Sequence, residues 1–216
     1  MKPAPAIEIN DLSVRFDGKT VIDTFSMCIE PGEKVIITGK SGSGKSTILR
    51  SILGFIIPYK GAIRIENELL TGKSVWKLRT CMAYVAQEPE LGTGLAGDIL
   101  SRPFSYRANL HLKGSFDNVP ELMERLLLPN EILNKDIAAL SGGEKQRIAI
   151  ICAILLDRGI ILLDEASSAL DKAATLAILE LLDSKKMLTV LSVSHDDKWL
   201  SFSDRIIELR GGSTGI

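Results

Sequence analysis

No apolar run in this chain is long enough to cross a bilayer. The longest, Ile148 to Leu156, is nine residues and stops at "DRG", whereas a spanning helix needs about 20. The start, "MKPAPAIEIND", lacks an apolar h-region, so no signal peptide is expected. Charge of one sign is lacking too. A formal net charge of -1 over 216 residues leaves no electrostatic footprint for nucleic acid, and none is expected as a partner. Cysteine is scarce: Cys28, Cys81 and Cys152 have no metal-ligand spacing and mostly apolar neighbours. They are expected to be reduced core residues of a cytosolic protein. Internal repeats and low-complexity tracts are missing. What remains is a chain sized for one large domain, or for a core with a small subdomain.

Strand-like runs dominate the first forty residues. Ile7, Ile9, Leu12, Val14 and Phe16 roughly alternate with polar residues, and "DG" at 17–18 and "PG" at 31–32 are turn signals. These read as antiparallel strands feeding one buried strand, Val35 to Thr38. A helix is expected over Lys45 to Leu53 with Gly54 as its stop, and strands at Ala62 to Ile65 and Met82 to Ala86. Residues 95–140 change character, with Pro103, Pro120, Pro129 and helical patterns such as "VPELMERLLL". Beyond them a glycine turn opens a long helix over "SGGEKQRIAIICAILL". The buried strand "IILLDEA", the helix "KAATLAILELLDS", the buried strand "MLTVLSVS" and a final strand "DRIIELR" follow. Strands alternating with helices predict an α/β fold with a mostly parallel sheet covered on both faces. The expected division is one domain over 1–216. Residues 1–94 and 141–216 form its catalytic core with an antiparallel β part, and about 95–140 form a small helical subdomain.

The stretch "GKSGSGKST", residues 39–47, fits G-x-x-x-x-G-K-[ST] at Gly39, Gly44, Lys45 and Ser46. It follows a strand and opens a helix, the context that separates a phosphate cradle from a flexible linker. Glycines let successive N–H groups, from Gly39, Lys40, Ser41, Gly42, Ser43 and Gly44 to Thr47, turn toward phosphate oxygens. The helix N-terminus adds partial positive charge. Lys45 supplies a full charge for the β- and γ-phosphates, and the Ser46 hydroxyl is a hard ligand for Mg²⁺. The apolar run Ile160 to Leu163 delivers Asp164 and Glu165 to the end of the sheet, where open α/β sheets bind ligands. Asp164 is suited to hold Mg²⁺, and Glu165 to orient or deprotonate an attacking water. "LSGGEKQR", residues 140–147, reads either as an ordinary N-capped helix or as a second anion site. One nucleotide does not need two such sites on one chain; a head-to-tail dimer would use both.

With these motifs in place, nearly the whole chain resembles the ATPase subunits of ABC transporters, built on a P-loop NTPase fold. Gly39 to Ser46 match the Walker A loop, and Asp164 and Glu165 match Walker B and the catalytic base. Ser141, Gly142, Gly143 and Gln146 match the signature loop that faces the nucleotide of a second chain. Phe16 matches the aromatic that stacks on adenine, a strand core residue being the plain alternative. Gln87, in "YVAQEPEL", matches the glutamine that touches Mg²⁺ and senses a membrane partner; otherwise it is a loop amide. Asp171, closing "SALD", matches the loop that speaks across the dimer. His195, in "VSH", matches the switch histidine on the γ-phosphate; alone it would be a structural histidine. The resemblance implies an active ATPase using ATP and Mg²⁺. It would pair with a second such chain as a homodimer, and with a separate transmembrane permease, peripherally on the inner face of the cell membrane. Residues 120–150 resemble, locally, a bacterial subgroup of metal or iron exporters. The rival reading is a soluble ABC ATPase of iron–sulfur cluster assembly. Chromosome and DNA-repair relatives carry a long coiled coil for which this chain has no room.

Overall fold

A computed structural model describes residues 4–210 and 213–214. The chain opens as a hairpin of β1 (Ile7–Phe16) and β2 (Lys19–Ile29), paired from Ile7 with Ile29 to Phe16 with Lys19. Asp17 (φ +48) and Gly18 (φ +77) close it. Positive φ at both turn residues matches the right-handed twist of the strands, which is why "DG" serves here. The alternation in β2 corrects one expectation. Met27 and Ile29 turn inward, so Cys28 between them is exposed rather than in the core, and Cys81 and Cys152 are only part-buried. All three are free thiols, and burial pushes Cys152 up to about 11.

β3 (Lys34–Thr38) leads through the glycine loop into α1 (Lys45–Ile52). Gly54, left-handed at φ +69, ends that helix by donating to Ser51 O at 2.9 Å. β4 (Lys60–Ile65) and the short β5 (Glu68–Leu69) return to the hairpin, giving a four-stranded antiparallel sheet ordered β2-β1-β4-β5. The short α2 (Val75–Arg79) then precedes the edge strand β6 (Met82–Val85). Residues 96–140 are helical, but only α3 (Ala96–Ser101) and α4 (Val119–Arg125) are α-helix. Arg102–Ser105, Arg107–Asn118, Asn130–Asn134 and Ile137–Ala139 are 3₁₀ turns. Prolines 103, 120 and 129 each remove an N–H that a continuing helix would need.

α5 (Gly142–Leu155), β7 (Ile160–Asp164), α6 (Lys172–Ser184), β8 (Thr189–Val193), the short α7 (Asp197–Phe202), β9 (Arg205–Arg210) and β10 (Ser213–Thr214) complete the chain. The second sheet runs β10-β9-β3-β8-β7-β6, parallel from β9 to β6. Every residue of β7 and β8 is buried, as expected of strands covered on both faces. One apolar cluster joins Val35, Ile37 and Leu162 to α1 and the antiparallel sheet. The other joins Ile36, Ile161 and Leu163 to α5 and α6. It also takes in Leu122, Met123 and Ile132, so the 96–140 segment and the main sheet share one apolar cluster.

Candidate functional site

The sheet order decides what meets at the site. β8 lies between β3 and β7, so the loop after β3, His195 after β8 and the acids ending β7 emerge side by side at one edge of parallel strands. That is the position where open α/β sheets take ligands.

The loop starts with Gly39, where a Cβ would stand 2.5 Å from Leu209 O of β9. It ends with Gly44 (φ +101), where a Cβ would stand 2.4 Å from Ile22 Cδ1 of β2. Neither position admits a side chain, which accounts for glycine at both ends. Gly44 caps α1 with no side-chain hydrogen bond and no acid in the first turn, leaving the first N–H groups open to an anion. Lys45 is 6% exposed, and its Nζ donates to Gly39 O at 2.8 Å and Lys40 O at 3.1 Å. Among the described residues no carboxylate pairs with it. The hydroxyl of Ser43 is buried without a hydrogen-bond partner among them. Lys40, Ser41 and Gly42 are exposed and Thr47 is half-buried. A buried ammonium without a counterion, an orphaned hydroxyl and uncapped N–H groups make a cradle suited to phosphate.

Asp164 is 4% exposed. Its Oδ1 accepts from Ser46 Oγ at 2.9 Å and its Oδ2 from Tyr84 Oη at 3.3 Å. A hydroxyl and a carboxylate one hydrogen bond apart, beside a phosphate cradle, fit Mg²⁺, which takes few protein ligands and completes its shell with phosphate and water. Burial, followed by the charge of Asp164, raises the Tyr84 phenol above its ordinary value, so it is a proton donor. Glu165, half-buried, has φ +47, a left-handed backbone that costs a non-glycine residue about 1–2 kcal/mol. Its N–H donates to Val193 O at 3.0 Å, extending the β7–β8 ladder one step before the chain turns. His195 is exposed, with Nδ1 3.2 Å from Thr38 Oγ1 at the end of β3. Gln87 is exposed just beyond β6. Phe16 is 45% exposed at the tip of β1, which removes the core-residue alternative.

The "SGG" turn is an N-cap in full. Ser141 Oγ accepts from Glu144 N at 3.2 Å, and Ser141 N donates to Glu144 Oε2 at 2.7 Å, a reciprocal capping box. The Ser141 amide holds the Glu144 carboxyl below its usual range. Ser141 and Gly142 are exposed, and a Cβ on Gly143 would stand 2.8 Å from Ala169 O. Asp171 caps α6 by accepting from Ala174 N at 2.8 Å. Ser141, Gly142, Gly143 and Asp171 line one cavity, to which residues 39–47 contribute nothing. The "SGG" turn and the loop of residues 39–47 therefore do not share that cavity. Gln146 departs from the motif-based expectation. It is 1% exposed, and its Nε2 donates to Ala86 O at 3.2 Å, so it faces the Gln87 segment of its own chain and not a second chain. Tyr84 and Thr38 were missed in the sequence, because an aromatic or threonine within a strand carries no mark of a polar partner.

A family model described as ABC transporter matches residues 22–168. The energy-coupling factor transporter ATP-binding protein EcfA1 of Enterococcus faecalis is 31% identical over 218 residues, covering 96% of this chain and 77% of its own. A dimeric post-hydrolysis structure of the ATP-binding cassette MJ0796 bound to ADP and Pi superposes with a TM-score of 0.84, at 27% identity and 97% of both chains. For cbiO1 of Clostridium perfringens, part of the transporter complex cbiONQ, the TM-score is 0.84 over 99% of this chain and 88% of that one. Its 23% identity makes this a likeness of fold alone.

Proposed function

The chain belongs to the ABC transporter family of ATPases, and from that premise we propose that it powers a separate transmembrane permease through ATP-driven closure of a dimer. The observation that carries this is Lys45, a buried ammonium held by two loop carbonyls with no carboxylate against it among the described residues. Such a charge is costly to bury unless an anion joins it. The β- and γ-phosphates of ATP would be that anion, held also by the N–H groups of residues 40–47 and by Ser43. Phe16, exposed at the tip of β1, would stack on adenine.

Mg²⁺ would be held by Ser46, Asp164 and Gln87. When bound it would neutralise charge developing on the phosphates. Glu165 would accept a proton from the attacking water as the water oxygen bonds to the γ-phosphorus and the bond to ADP breaks. His195, fixed by Thr38, would steady the γ-phosphate. Ser141 and the amides of Gly142 and Gly143 would complete the site from a second copy of the chain, with Asp171 beside them at the interface. The separate opening of the signature cavity supports that arrangement.

No helix among the described residues is long and apolar enough to cross a membrane, which fits a peripheral subunit on the inner face served by a separate permease. Residues 95–140 would be the part that faces it, with 1–94 and 141–216 as the catalytic core. The likeness of residues 120–150 to metal-exporter subunits supports a metal ion as cargo. No observation favours the iron–sulfur assembly alternative.

Glu165→Gln tests the proposal. It keeps size and hydrogen bonding and removes the base, so ATP should bind, hydrolysis should fall by about 10²-fold or more, and an ATP-dependent dimer should accumulate on size exclusion. A variant that binds ATP yet stays monomeric at saturating nucleotide contradicts the closure scheme.

A further inference from the structure

Each oxygen of the Asp164 carboxylate has its own hydroxyl donor. Ser46, at the start of α1, donates to Oδ1 at 2.9 Å, and Tyr84, on the edge strand β6, donates to Oδ2 at 3.3 Å. The second donor arrives by strand register. Tyr84 lies opposite Leu162 and Val85 opposite Leu163. Side chains alternate along a strand, so Tyr84, Leu162 and Asp164 share a face. Reaching forward from the level of Leu162 to that of Asp164 takes roughly 6–7 Å, two residues of strand rise. A tyrosine spans that gap and an aliphatic side chain does not. The ring packs against the apolar cluster that contains Leu162, Val193 and Ile48. An ionised carboxylate can only accept, so the phenolic proton lies toward Asp164.

The terminal torsion of an aspartate is broad and roughly two-fold. With Ser46 as its one partner, the carboxylate could rock or exchange its oxygens. A donor on Oδ2 makes the two oxygens inequivalent and keeps Oδ1 turned toward Ser46. We propose that Tyr84 is a positioning residue for the metal site: through its hydroxyl it fixes the orientation in which Asp164 and Ser46 receive the divalent cation. This rests on the reading that Asp164 and Ser46 hold that cation.

The test is direct metal binding to the full-length chain. Mn²⁺ is titrated into ADP-saturated protein and the free ion followed by electron paramagnetic resonance; ADP affinity without metal is measured alongside. Tyr84→Phe removes one oxygen and keeps the ring. It should weaken Mn²⁺ binding by about three- to tenfold, the worth of one hydrogen bond, and leave metal-free ADP affinity unchanged. Asp164→Asn should weaken Mn²⁺ binding further, and adding Tyr84→Phe to it should change nothing more. Wild-type Mn²⁺ affinity in Tyr84→Phe, beside a weakened Asp164→Asn, overturns the proposal and leaves the metal reading standing. Wild-type affinity in Asp164→Asn as well overturns the metal reading itself. An equal loss of metal-free ADP affinity in Tyr84→Phe would make its effect one of general packing and also overturn the proposal.

Discussion

At the scale of single residues, the account turns on charge and on hydroxyls without partners. Lys45 donates only to carbonyls in the state described, and the Ser43 hydroxyl is buried and unsatisfied. Both are paid-for positions that a triphosphate would complete. Charge-assisted contacts to phosphate are the strong ones, each worth about 1.5–3 kcal/mol. Lys45→Ala should therefore lower ATP affinity by about tenfold to a hundredfold, measured by calorimetry, and abolish turnover with it. Near-wild-type ATPase activity would remove Lys45 from the site. The loop itself was readable from the string of residues because its spacing and its strand–helix context agree. The details that tune it were not. Nothing in "YVAQ" says that Tyr84 reaches Asp164, since that depends on the β6–β7 register. Nor does "IEIND" onward say that Phe16 sits exposed at a hairpin tip and Cys28 outside the core, which the bulges and turn of β1 and β2 decide.

Elements carry the next level of control. β7 was legible as a contiguous apolar run, and β8 as a largely apolar one interrupted by Thr189 and Ser192, because strands buried on both faces leave little alternation to misread. The segment 96–140 was legible as helical but not as mostly 3₁₀. Apolar spacing marks a buried face without recording whether the bonds close at i+3 or i+4. The capping box at α5 is a local device with a measurable strength. Ser141→Ala should destabilise the first turn of α5 by about 1 kcal/mol, seen as lower hydrogen-exchange protection of the Glu144 amide, while amides late in α5 keep theirs. Because the folded Glu144 carboxyl lies below its ordinary value, its contribution is full above the usual carboxylate range. It is lost as pH falls through the lowered value. Equal protection at Glu144 in the two proteins would mean that the box seen here contributes nothing to the turn.

For the whole molecule, the decisive feature is that the glycine loop of residues 39–47 and the Ser141 turn do not share a cavity. The loop of residues 39–47 opens at the β3 edge beside β7 and β8, and the Ser141 turn opens with Asp171 into a cavity of its own. Two copies arranged head to tail would bring each loop against the other's turn, so that ATP joins the chains and hydrolysis releases them. A subunit of that kind needs no machinery of its own for moving cargo. It would need a two-state interface that a permease can feel, and Gln87, exposed next to the carbonyl that receives Gln146, follows β6 in the chain just before the helical segment. The measurement that bears most directly on this is complementation between two inactive variants, one chain carrying Lys45→Ala and the other Ser141→Arg. If sites form across the interface, a mixed dimer holds one site with both lesions and one with neither, and mixing should restore about a quarter of wild-type ATPase activity, the statistical share of intact sites when half the dimers are mixed. If each chain uses its own turn, every site carries a lesion, and mixing will restore nothing.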